Sequence, residues 1–123
     1  MSNPDETRRV VEGYFTAWTG KKTTEAYALL AKDLQFSGPS ASYQSAEAFR
    51  PALEGFAAMT KGARVLELLV DGDRAAMLYD CDLPDPVGTV RIASFFQVAN
   101  GKICAYDTRF DATEFGKLRA KKG

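Results

Sequence analysis

The chain has 123 residues, 16 basic against 16 acidic side chains, no histidine, and 46% apolar residues. A chain of that length reads as one domain over residues 1–123, burying roughly 65% of the surface its unfolded form exposes without disulfide or metal staples. Zero net charge removes the electrostatic reason to condense on nucleic acid or an anionic membrane, and the absent imidazole removes Ser–His–Asp and Cys–His pairs, histidine-ligated zinc and histidine bases. Carboxylate, tyrosine or thiol chemistry stays open, as does binding without catalysis.

Asn3 as a cap, Pro4 at the first helical position and Glu6 predict a helix start, and Val10, Val11, Tyr14 and Trp18 recur behind it at helical spacing. That helix should end near Gly20. Thr23 or Thr24 should cap a second, shorter helix that carries Tyr27 and Leu30 and ends at Asp33, followed by a short strand from Leu34 to Ser37. Gly38-Pro39-Ser40-Ala41-Ser42 is rich in turn residues and reads as a loop over one end of the domain, of the kind that gates a cavity. A third helical region runs from about Ser45 to Met59 with Phe49, Leu53 and Phe56 on one face, and Pro51 should split it.

From Ala63 the period changes to two. One strand turns at Asp71-Gly72-Asp73 into a second, Arg74 to Leu83; Pro84-Asp85-Pro86 breaks it; a third runs from Val87 to Val98, and a last from Lys102 to Phe110. A C-terminal turn should follow from Thr113, with residues 117–123 a frayed tail. Helices first and an antiparallel meander second is the pattern of an α+β domain whose helices lie on the concave face of a curved sheet.

Two cysteines, not in a Cys-x-x-Cys pair, are too few for a secreted disulfide scaffold or a four-ligand zinc site. No metal and no cofactor is expected. The first residues lack the basic-then-apolar run of a signal peptide and no apolar stretch is long enough to span a bilayer, so the default location is cytoplasmic.

Alternation assigns faces. Ala75, Met77, Tyr79, Cys81 and Leu83 form the apolar face of their strand, and Val90, Ile92, Ser94, Phe96 and Val98 that of the next. The last hairpin could turn through Asn100-Gly101 alone or through a three-residue loop, and we favour the latter. It puts Cys104, Tyr106, Thr108 and Phe110 inward and sends Asp107, Arg109 and Asp111 out, whereas the shorter turn would pull that charged trio into the core at several kcal/mol per ion. Cys81 and Cys104 then sit about 9–10 Å apart across an intervening strand, beyond the ~7 Å reach of a disulfide.

The order of elements, with Val11-Glu12-Gly13-Tyr14-Phe15, Leu29 to Phe36, Ser94-Phe95-Phe96-Gln97-Val98, Gly101-Lys102-Ile103 and Phe110-Asp111, resembles the SnoaL-like branch of the nuclear transport factor two-like superfamily over nearly the whole chain. The resemblance implies a cone-shaped α+β barrel with an interior pocket, commonly dimeric. Its members include ketosteroid isomerases, polyketide cyclases, limonene epoxide hydrolases, scytalone dehydratases and non-catalytic binders, so the fold does not choose a reaction. The arginine and two aspartates of the epoxide hydrolases align with Tyr79, Cys81 and Thr108 here, which leaves that mechanism without its charged groups.

Tyr14, Trp18, Phe36, Phe49, Phe56, Tyr79, Tyr106 and Phe110, with Cys81, Ile92, Ser94 and Thr108, are the candidate lining of a pocket for a hydrophobic small molecule. Taken singly each aromatic reads as ordinary core, and it is as a group that they predict the pocket. Tyr79 is the first candidate for an oxyanion-type donor, against a phenol satisfied by backbone or buried water. Asp80, next to Asp82, is the candidate general acid or base if the register is off by one residue; otherwise it pairs across strands with Arg91. Cys81 lacks a basic neighbour to make it nucleophilic. Asp111-Ala112-Thr113-Glu114 has the form of a capping box. Ala76, Ala93 and Phe95 leave apolar surface on the outer sheet face, which a second copy of the chain would cover. Catalysis on a hydrophobic substrate, non-catalytic binding, and an interaction module with a filled core all remain open, separated by whether a carboxylate enters the cavity.

Overall fold

The computed structural model describes residues 3–111. The turn from Thr113, the tail 117–123 and all of the capping box beyond Asp111 lie outside them. The elements are α1 (Pro4–Thr19), α2 (Thr23–Ala28), β1 (Leu30–Ser37), β2 (Ser42–Tyr43), α3 (Ala46–Met59), β3 (Gly62–Asp71), β4 (Arg74–Asp82), β5 (Thr89–Ala99) and β6 (Lys102–Arg109). The six strands form one curved sheet in the order β2-β1-β6-β5-β4-β3, antiparallel except where β1 meets β6. The cone is therefore an open one with β2 and β3 at its edges, and the helices fill its concave side.

α1 begins as its sequence dictates: the Asn3 side chain accepts from the Glu6 amide and Pro4 occupies the first turn, where a missing amide hydrogen costs nothing. Val10, Val11, Tyr14 and Trp18 face the sheet, and the buried Thr7 hydroxyl donates to the Gly72 carbonyl at 2.8 Å, pinning the helix to the β3–β4 turn.

α2 is shorter than its pattern suggested. Lys22, not Thr23 or Thr24, holds the cap position, and no side chain caps the helix. Leu30 and Asp33 belong to β1, which starts at Leu30 because its pairing with Ile103 of β6 takes over there. Lys21, at a φ of 68°, reaches across to the Ala57 and Thr60 carbonyls and so satisfies the C-terminal end of α3.

Pro51 does not split α3, which runs unbroken from its Ser45 cap. The carbonyl a proline at 51 leaves unpaired is that of Glu47, and both residues lie on the exposed side of the helix, where solvent serves as partner while Phe49, Leu53 and Ala57 stay buried.

β4 and β5 alternate as read from the sequence, with Ala75, Met77, Tyr79, Cys81, Val90, Ile92, Ser94, Phe96 and Val98 buried. The β5–β6 hairpin differs. Ala99 pairs with Lys102, so Asn100 (φ 55°) and Gly101 (φ 73°) form a two-residue turn. The cost of bringing charge inward is avoided by a bulge: Val98 faces Ile103, Gln97 faces Ala105, and Cys104 is the extra residue between them. Ile103 is therefore the buried side chain, while Cys104 is displaced from the inner face and donates to the Gln97 carbonyl. Beyond the bulge Tyr106 and Thr108 point in, and Asp107 and Arg109 pair with each other outside. Both cysteines are free.

Candidate functional site

A cavity of about 170 Å³ opens at the end of the cone between α1, α3 and the sheet. Tyr14 and Trp18 reach it from α1, Phe49, Ala52, Leu53 and Phe56 from α3, Tyr79 from β4, Ile92 from β5, and Tyr106 and Thr108 from β6. Phe36, Tyr43 and Phe110 stand at its rim, and the loop 38–41 crosses the mouth. Gly38 permits that crossing, since a Cβ there would sit 3.1 Å from the Phe36 ring. Phe36 is in turn stacked on Phe49 at 4.3 Å.

Ser94 and Cys81 are not part of the lining. Ser94 is buried behind it, sharing hydrogen bonds with the Tyr79 hydroxyl at 3.4 Å and the Thr108 hydroxyl at 2.7 Å. Cys81 is fully buried against the Thr60 hydroxyl, and burial pushes its thiol up, which keeps it protonated and unreactive. Burial likewise raises the phenols of Tyr14, Tyr79 and Tyr106 far above their ordinary range. They are neutral donors at any working pH.

The candidate acid–base role of Asp80 requires correction. Asp80 sits on the outer face, gripped at 2.8 Å and 3.1 Å by Arg91, and is absent from the cavity lining. That hydrogen bonding holds its carboxyl below the usual range. Asp82 is held lower still, at about 2, first by Arg64 and then by Thr89. A carboxyl whose folded value is lowered contributes stability above its unfolded value of about 3.9 and loses it as the pH falls toward the folded one. The stability difference between wild type and Asp82→Asn is therefore expected to shrink as pH drops from about 4 to about 2, read by urea denaturation at a series of pH values. A difference constant over that window would contradict the pairing.

The chain also matches a known family model. Residues 11–106 match that of the SnoaL-like domain. The chain belongs to the SnoaL-like domain family. Solved structures similar to this SnoaL-like domain include a Kribbella flavida protein (28% identity, 93% of each chain, TM-score 0.87). A candidate ketosteroid isomerase from the same organism is similar at 23% identity over 90% of this chain and 82% of that one, with a TM-score of 0.80. An epoxide hydrolase of M. tuberculosis is similar at 19% identity over 97% and 94%, with a TM-score of 0.75. No curated protein matches.

Among the residues read from sequence, the structure brings ten to the cavity: Tyr14, Trp18, Phe36, Phe49, Phe56, Tyr79, Ile92, Tyr106, Thr108 and Phe110. Tyr43 and Ala52 were not foreseen. Tyr43 lies on a two-residue strand too short to show a period, and Ala52 is a small residue whose neighbourhood is set by where α3 lands.

Proposed function

We propose that this SnoaL-like domain binds a neutral, hydrophobic small molecule in its cavity, with Tyr79 as the hydrogen-bond donor at the buried end. The observation that carries this reading is the lining itself, in which aromatic and aliphatic groups meet hydroxyls and, among the described residues, no Asp, Glu, Lys or Arg takes part. An ionised ligand would be desolvated there without a counter-charge, at several kcal/mol. An isomerase- or cyclase-type reaction run by a carboxylate base would need one inside. Asp80, Asp82 and Asp107 are instead paired with arginines on the outer face, and Asp111 is exposed. Binding is the reading these positions favour. The test is titration with a one-ring ketone such as propiophenone, followed by fluorescence of Trp18, the single tryptophan. A saturable change is expected; an unaltered spectrum at millimolar ketone would end the proposal.

We also infer that a second copy covers the outer sheet face. Leu69, Ala76 and Phe95 lie in one cross-strand row there, beside Ala93, and Leu69 and Phe95 are 61% and 50% exposed. Phe95→Glu is expected to convert a dimer into a monomer by light scattering, and a wild type that is monomeric at all concentrations would refute the contact.

A further inference from the structure

The pairing of β3 through β6 sets the residues of the outer sheet face in cross-strand rows. Leu69, Ala76, Phe95 and Asp107 form one row, Glu67, Leu78, Ala93 and Arg109 the next, and Arg64, Asp80 and Arg91 a third. The charges in these rows follow a rule. About the line between β4 and β5, the second row has an acid at its β3 end and a base at its β6 end, and the third sets Asp80 on β4 against Arg91 on β5. A face with that antisymmetry is complementary to a copy of itself turned about a two-fold axis along the same line, which exchanges β4 with β5 and β3 with β6.

We propose that a second copy of this chain docks on the outer face with its strands running in the same direction, about a two-fold axis parallel to the strands and between β4 and β5. The proposal rests on the reading above that a second copy covers this face, and it names how that copy sits. Aligned packing of two sheets leaves two senses, strands running the same way or opposite ways. In the first sense Ala76 receives the partner's Phe95 and Phe95 the partner's Ala76, small against large. Glu67 then meets the partner's Arg109, and Asp80 meets the partner's Arg91. A splay of about 30° moves the third row sideways by about 3 Å relative to the second, less than the ~4.8 Å between strands. In the opposite sense each strand meets itself reversed. Centred on the second row, that sets Glu67 on the partner's Glu67 and Phe95 on the partner's Arg91; centred on the first, it sets Asp107 on the partner's Asp107. Like charges brought together across an interface oppose it. The mismatch in the favoured sense, Leu69 near the partner's Asp107, falls at the rim, where Arg109 already neutralises Asp107 at 2.9 Å. Because the strands keep their direction, both cavity mouths open at the same end of the dimer.

The experiment is a charge exchange on the full chain. Glu67 and Arg109 stand at the two ends of one row with two strands between them, about 14 Å apart and too far to pair within a chain. Sedimentation equilibrium over a dilution series gives the dimer dissociation constant of the wild type, of Glu67→Lys, of Arg109→Glu and of their equimolar mixture. Each reversal turns two symmetry-related attractions into repulsions and is expected to weaken dimerisation about 10-fold or more. The mixture restores both pairings and is expected to dimerise within about 3-fold of the wild type. Mixing also controls for folding, since an unfolded variant gains nothing from a partner. Should Arg109→Glu, which loses its Asp107 pair, fail to fold, exchanging Asp80→Arg with Arg91→Asp tests the same arrangement on the third row. If the strands ran in opposite senses, Glu67→Lys mixed with wild type would dimerise better than either alone, and that result would overturn the proposal. So would a wild-type dimer that neither reversal weakens, which would leave the covered face standing. A wild type that is monomeric at every concentration would remove the second copy itself, and this arrangement with it.

Discussion

Tyr106→Ala is expected to lower the stability of the domain by about 3–5 kcal/mol, seen as a fall in the urea midpoint with an unchanged slope. Tyr106 is buried where three elements meet. Its ring stacks on Phe96 at 4.8 Å and takes edge contacts from Tyr14 at 5.4 Å, Phe36 at 5.1 Å and Phe49 at 5.8 Å. Removing the ring takes away a large apolar area and those aromatic pairs, and leaves a hole that rigid β5 and β6 cannot close. A loss of that size is a large fraction of the 5–15 kcal/mol typical of a domain. Tyr106→Phe, which keeps the ring and deletes one hydroxyl, should cost about 1 kcal/mol. Equal effects from the two substitutions would mean that the hydroxyl, not the packing, is what Tyr106 contributes.

Ala52→Phe is expected to reduce affinity for propiophenone by about 100-fold or more while changing stability by about 1 kcal/mol. Ala52 projects from the middle of α3 into the cavity and is only partly buried, so a larger side chain there enters empty space rather than packed core. A phenyl group at that point takes the volume a one-ring ligand needs. The measurement pairs calorimetric titration with a denaturation curve on the same protein. Retained affinity in a folded variant would place the ligand elsewhere. Lost affinity with a loss of several kcal/mol in stability would mean that the ring overpacks the core and that a smaller filling residue, such as valine, is the right probe.

The inner faces of β4 and β5 were legible in the sequence because strict alternation leaves only one register that keeps charge out of the core. The same logic placed Asp80 opposite Arg91. It also drove the reading of β6, where the rule that Asp107 and Arg109 stay outside held, but the means of satisfying it did not. A longer loop and a bulge shift a strand by the same one residue, and only the pairing with β5 and β1 tells them apart. Cys104 and Ile103 exchange roles for that reason alone.

Length, the absence of histidine and the balance of charge were decided by the residues themselves, and with them the exclusion of imidazole chemistry. Periodicity decided which side chains of α1, β4 and β5 turn inward, because helix and strand geometry are local. Tertiary structure decided the rest. Whether the many aromatics fill the core or surround a space depends on how far α3 stands from the sheet, a distance that no local pattern encodes. The connection of Tyr79 to Thr108 through Ser94 arises only when three strands align in register. A chain without histidine and with its arginine-paired carboxylates outside thus presents a cavity whose polar side-chain groups, among the described residues, are hydroxyls and the Trp18 indole N–H.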